Sequence, residues 1–176
     1  MSQDDSFVFF TVGTDHHRFD RLVDWAERWT QQAESIRCVI QYGTARPPRH
    51  GEAYESLEYP RFERFMAAAT IAVTQGGPGS IASARRAGKR PLVVPRKSGL
   101  EEHLNDHQVA FAEHLANLGM IELVRSEDDL YAMLSRARED PSWLAIDDAQ
   151  DSGVNDTVAA FAKLVDPLIS PAPRGL

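Results

Sequence analysis

Short apolar runs alternate with longer amphipathic segments along almost the whole chain. Residues 7–12 read FVFFTV, aromatic and β-branched, and stop at Gly13, which predicts a strand. Residues 20–32 carry Leu22, Val23, Ala26 and Trp29 on one helical face, which predicts a helix. The same two signatures recur. Strands are predicted over 36–41, 71–74, 91–95 and 120–124. Helices are predicted from Pro60, over 81–87, over 105–118, from the Ser126–Asp129 capping pattern to about 138, and from Asn155 to about 169. Residues 46–58, with Pro47, Pro48 and Gly51, read as a loop. Strands that each precede a helix imply an α/β fold: a single Rossmann-like domain with a parallel sheet and helices on both faces. The expected domain is 1–176, with its core at about 7–169 and a loose tail at 170–176. Ligands of such sheets sit beyond the carboxyl ends of the strands, so the loops after Val12, Thr74 and Pro95 are where a site is expected.

Composition narrows the function classes. The chain has 176 residues, one domain's worth, with 19 Lys and Arg against 26 Asp and Glu. A net charge of −7 without a strong Lys/Arg run argues against nucleic acid as a partner. No run of about 18 apolar residues is present, so no transmembrane helix is expected. The first ten residues, MSQDDSFVFF, are acidic and only briefly apolar, unlike a secretion signal. Cys38 is the single cysteine, so an internal disulfide and a cysteine-pair zinc site are excluded, and a cytoplasmic location is expected.

Two segments carry the chemistry. The first is 73–84, VTQGGPGSIASA, where three glycines and a proline stand between a strand and a helix. Glycine allows close backbone approach, and the amides of a helix N-terminus favour an anion such as a pyrophosphate. Ser80 adds a hydroxyl. A tight turn with glycine used only for geometry is the plainer reading. The spacing is neither GxGxxG nor a Walker loop, so a nicotinamide dehydrogenase or a P-loop ATPase is not supported. Gly13 and Thr14 make a second glycine turn one strand away. The second segment is 95–108, PRKSGLEEHLNDHQ, which gathers Arg96, Glu102, His103, Asp106, His107 and Gln108 beside a strand end. His103 and His107, four apart, would share a face if helical, but HLNDH lacks the glutamate of HExxH. Asp106 and Gln108 suit sugar hydroxyls and Arg96 suits phosphate. A solvated helix start, capped by Asn105 or Asp106, is again the plainer alternative.

Taken in order, FTVGT with FDRL, TQGGPGSI, GKRPLVVPR and EHLNDHQVAFAEHL resemble the C-terminal half of glycosyltransferase family 28. The likeness covers about 7–121. It is greatest to the short, stand-alone donor-binding subunits of split bacterial exopolysaccharide and capsule enzymes, and extends to the catalytic subunit of the two-part transferase acting on dolichol-linked sugars. The resemblance implies one half of a GT-B architecture that binds a nucleotide-sugar, typically a UDP-sugar, as donor substrate, with no cofactor and no metal. It implies inverting transfer to a lipid-linked glycan acceptor in polysaccharide biosynthesis. A membrane-anchored acceptor-domain subunit would be the partner and would recruit the chain to the inner membrane face.

By position, the resemblance assigns the diphosphate to Gly76, Gly77, Gly79 and Ser80, bordered by Gly13, Thr14 and Gln75. It assigns the donor sugar to Glu102, Asp106, His107 and Gln108, and offers His16 as general base or phosphate contact, unless the partner supplies the base. Two departures stand out. Gln75 occupies a position where many relatives have histidine, and Ser83 one where full-length relatives have a ribose-binding glutamate. A non-catalytic nucleotide-sugar-binding module and a self-contained homodimer are the alternatives. Trp25 and Trp29 are expected to pack, Cys38 to be a buried thiol, and Arg85, Arg86, Lys89 and Arg90 to form a solvated helix end or, alternatively, a patch for an anionic membrane.

Overall fold

The computed structural model describes residues 6–33 and 35–146. The predicted last helix and the tail lie outside the described residues. Six strands and five helices follow one another: β1 (Phe7–Thr11), α1 (Asp20–Gln32), β2 (Arg37–Gln41), β3 (Glu52–Tyr54), α2 (Tyr59–Ala68), β4 (Ile71–Gln75), α3 (Pro78–Arg86), β5 (Leu92–Val94), α4 (His107–Asn117), β6 (Glu122–Leu123) and α5 (Glu127–Glu139). All strands join one sheet in the order β3-β2-β1-β4-β5-β6, and every neighbouring pair is parallel. This is the expected α/β architecture.

The alternation of side chains along β1 divides the core. Val8 and Phe10 turn to the face covered by α1 and α5, where they meet Leu22, Ala26, Trp29, Leu130 and Leu134. Phe7 and Phe9 turn to the other face and pack on Phe65 and Met66 of α2 and Ala84 of α3. Burying a side chain such as Phe9 or Phe10 contributes roughly 1.5–3 kcal/mol. Beyond β4, Val93 and Leu123 pack beneath Ile81, Ala112 and Leu115. Trp25 and Trp29 belong to the core, as expected. Cys38 is buried too, and burial pushes its thiol pKa up.

Three local differences from the expected elements have simple causes. The predicted loop 46–58 contains β3, an edge strand whose three residues, none of them buried, are too few to show a period; an Arg37–Glu52 ion pair at 2.9 Å ties it to β2. Helix α3 begins at Pro78 rather than at residue 81, so only Gly76 and Gly77 link it to β4. Pro at N1 loses no intrahelical hydrogen bond and starts the helix early. Helix α4 begins at His107, which leaves His103 in the preceding loop; the shared helical face of His103 and His107 does not form.

The basic cluster also resolves differently. Arg85 is buried with its guanidinium on Met120 O, Lys89 donates to the carbonyls of Met66 and Ala67, and Arg90 pairs with Glu122 at 3.0 Å. These three cations bind α2 and the β6 edge to α3 rather than forming a solvated end, while Arg86 is exposed as expected. No helix among the described residues is long and apolar enough to cross a membrane.

Candidate functional site

Strands β1 and β4 lie side by side, but the chain leaves them in opposite directions, toward β2 and toward β5. Such a switch point opens a crevice beyond the strand ends. Here it has a volume of about 270 Å³ and is lined by Gly13, Thr14, Gln41, Leu57, Tyr59, Phe62, Gln75, Gly79, Ser80 and Ser83.

The Gln75 side chain packs against two of the glycines. A Cβ on Gly13 would stand 2.0 Å from Gln75 Nε2, and one on Gly77 would stand 2.6 Å from the same atom. Gly13 moreover has φ +75°, a conformation that side-chain-bearing residues rarely adopt. Gln75 Oε1 is buried without a hydrogen-bond partner, an unmet acceptor beside the crevice. Gly76 is pressed against Gln108, whose Cβ would lie 3.0 Å from a Cβ added there. Gly79 is different: an added Cβ would touch nothing within 4 Å. It lies in the first turn of α3 with Ser80, where backbone amides have no carbonyl four residues back within the helix. Small residues and unsatisfied N–H groups thus face open space, an arrangement suited to a phosphate group.

The other wall was not legible as a motif. Leu57, Tyr59 and Phe62 bring apolar and aromatic surface, and Tyr59 is 65% exposed despite its size. Gln41 is anchored by Thr11 Oγ1 at 2.6 Å. Ser83 donates to Glu63 Oε1 at 2.6 Å and accepts from Arg86. In sequence Gln41, Leu57, Tyr59 and Phe62 are scattered over β2, the β3–α2 connection and α2, with no spacing that marks them, whereas Ser83 lies on α3 within the glycine-rich segment.

The segment after β5 behaves otherwise than its composition suggests. Arg96 has no exposed surface. Its guanidinium donates to the carbonyls of Val12 (2.9 Å), His17 (2.8 Å) and Glu102 (3.0 Å) and lies 4.7 Å over the Phe19 ring. It therefore cannot reach a phosphate in this arrangement; it ties the loops after β1 and β5 together. Glu102 is likewise engaged, gripped by Arg21 through two bonds of 2.7 Å and by the Lys97 amide at 3.0 Å, and its side chain is 6% exposed. It positions a loop and is not free to meet a sugar. Asp106 is exposed and accepts from the Ser98 amide at 2.8 Å, which holds its carboxyl below the ordinary range. His107 is exposed at the start of α4, and Gln108 is buried with Oε1 3.4 Å from the Arg96 amide.

In the loop after β1, His16 is 80% exposed, with Nδ1 3.7 Å from Asp15 Oδ1 and its ring 4.0 Å from that of His17. Its neighbour is better placed: His17 Nδ1 is 2.7 Å from Asp15 Oδ1. His103 Nε2 approaches the other carboxylate oxygen at 3.5 Å. Burial would raise the Asp15 pKa, but bonds from His17 and the charge of Arg96 outweigh it and hold the carboxyl below its usual value. Sequence reading missed Asp15 and His17 because adjacent polar residues in a loop have no period.

The fold and the crevice place this chain among the α/β domains that form the C-terminal half of GT-B glycosyltransferases. Among solved structures it is similar to the glycotransferase of kitacinnamycin (TM-score 0.64, 18% identity, covering 97% of this chain and 45% of that one). It is also similar to CalG4, the calicheamicin glycosyltransferase (TM-score 0.59, 18% identity, 97% and 44%). A third is the MurG protein of Acinetobacter baumannii (TM-score 0.57, 13% identity, 95% and 54%). The chain therefore spans about half the length of these structures. A search of curated proteins returned no match. Residues 7–162 match the glycosyltransferase family 28 C-terminal domain, and the chain belongs to that family.

Proposed function

We propose that this chain is the donor-binding, catalytic subunit of a two-component inverting glycosyltransferase that moves a sugar from a UDP-sugar to a lipid-linked acceptor in polysaccharide synthesis. The observation that carries the reading is the crevice between β1 and β4, where the open first turn of α3 meets the Gly13 turn. A diphosphate in that crevice receives hydrogen bonds from backbone amides and the Ser80 hydroxyl, and the helix N-terminus favours the charge that gathers on the leaving group. Tyr59, Leu57 and Phe62 offer a base an apolar wall to lie against. Ser83, backed by Glu63, offers polar partners to ribose, in place of the glutamate common in full-length relatives. Gln108 and Asp106 are the candidate donor-sugar ligands. His16, exposed beside Thr14, is the candidate to take the proton of the acceptor hydroxyl.

The chain covers about half of the glycosyltransferase structures it resembles, and transfer needs an acceptor-binding half as well. A membrane-anchored partner would supply it and bring this chain to the inner membrane face. The test is to incubate the purified chain with UDP-sugars and membranes from its host, and to follow UDP release and lipid-soluble sugar. Transfer that needs both components is expected. Donor binding without turnover in the presence of membranes would contradict catalysis and favour a regulatory nucleotide-sugar-binding module.

A further inference from the structure

We propose that the loop joining β1 to α1 holds a divalent transition-metal ion on Asp15, His16 and His17. One ligand atom from each of these side chains lies within 4.8 Å of the other two. His17 Nδ1 is 2.7 Å and His16 Nδ1 3.7 Å from Asp15 Oδ1. An ion bonded at about 2.0–2.2 Å to imidazole nitrogen and carboxylate oxygen leaves its ligand atoms roughly 3 Å apart. The two separations from Asp15 bracket that value and the two histidine ligand atoms lie within 4.8 Å of each other, so side-chain rotations would close the set around an ion. Loading replaces the His17–Asp15 hydrogen bond with two bonds to the ion; the His17 ring carries its proton on Nε2 instead of Nδ1, and no proton is gained or lost.

Two imidazoles and one carboxylate suit ions such as Zn²⁺, Co²⁺, Ni²⁺ or Fe²⁺ and leave coordination positions open. Every ion-pair partner of Asp15 among the described residues is a histidine, so no lysine or arginine side chain competes directly for its oxygens. The surroundings are built to orient the ligands, as outer partners of metal sites are. His103, 8% exposed, stands 3.5 Å from Asp15 Oδ2, and its own Nδ1 lies 3.2 Å from Asn105 O and 3.4 Å from Asn105 N. The His17 amide donates to Asp15 Oδ1 at 2.8 Å, and buried Arg96 grips the His17 carbonyl at 2.8 Å. The exposed His16 ring leaves the ion a way in.

The site adjoins Thr14 on the rim of the crevice.

The experiment is calorimetric titration of the untagged full chain with Zn²⁺ and with Co²⁺, the Co²⁺ adduct also followed by visible absorption. One saturable equivalent is expected. His16→Ala and His17→Ala should weaken binding at least 10-fold, and His103→Gln by roughly 10–100-fold, the usual consequence of losing an outer-shell partner. His50→Ala and His114→Ala should leave it unchanged. His16 is so exposed that its variant tests binding without threatening the fold. Absence of saturable binding, or binding insensitive to both His16→Ala and His17→Ala, would overturn the proposal. A UDP titration of the same samples separates the two ideas: loss of the ion alone removes this inference, and loss of UDP alone removes the donor-site reading.

Discussion

Arg96 shows how much of this site consists of residues that hold loops rather than touch ligand. A guanidinium with no exposed surface is costly to bury, and it is stable here because three carbonyls from two loops accept its protons. Burial lowers its pKa, with Asp15 and Glu102 pulling the other way. Arg96→Ala would strand those carbonyls and open a void, so a loss of about 3 kcal/mol is expected in urea denaturation. A variant as stable as the parent would show that the loops need no such tie. Its position after a strand, next to Lys97, made Arg96 look like a phosphate ligand; nothing in the sequence reveals that its partners are backbone carbonyls as much as 84 positions away.

Glu27 supplies the pH dependence. It is buried on α1 and accepts from the Arg49 amide at 2.6 Å and from Arg46 at 2.8 Å. Burial raises its pKa, but these bonds outweigh that and leave it below the usual value. A carboxyl with a depressed folded pKa contributes stability above its unfolded value, and that contribution is lost as pH falls through the folded one. The stability difference between the parent and Glu27→Gln is therefore expected to be about 1 kcal/mol at pH 7 and to close below roughly pH 4.5. A difference independent of pH would contradict it.

At the scale of elements, legibility followed length and caps. Helix α1 is found at the expected 20–32, because its apolar stripe is long and uninterrupted. Helix α5 starts where Ser126 was expected to cap it, with the serine hydroxyl accepting from the Asp129 amide at 3.1 Å and the Asp129 carboxylate accepting from the Arg125 amide at 3.0 Å. Ser126→Ala is expected to cost about 1 kcal/mol in thermal or chemical denaturation, and no measurable cost would contradict the cap's role. Strand β3 escaped notice because three residues at a sheet edge carry no periodic signal. The glycine turn was visible as a turn, but its division into two linking residues and a helix start depends on Pro78, which reads equally well as part of a loop.

For the whole molecule, alternation alone specified a parallel sheet, and with it the end of the sheet where a ligand sits. The glycine side of the crevice was therefore legible. Its aromatic side was not, because Leu57, Tyr59 and Phe62 reach the site only through the return of the chain from the β3 edge to β4 at the centre of the sheet.

The central claim is that the open first turn of α3 binds the diphosphate of a nucleotide donor, and Gly79 tests it most directly. A Cβ there meets no protein atom within 4 Å, so small substitutions are expected to leave the fold intact and fill the space proposed for the ligand. The measurement is calorimetric titration of the parent, Gly79→Ala and Gly79→Val with UDP, with ADP and NAD as controls. One UDP site is expected in the parent, with no comparable response to the controls, and a loss of at least 10-fold in affinity, about 1.4 kcal/mol, for Gly79→Val. Gly79→Ala should bind more weakly than the parent but better than Gly79→Val, in a helix made more stable by roughly 0.5–1 kcal/mol. UDP binding no tighter than that of the controls, or equal UDP affinity in the parent and Gly79→Val, would contradict the account.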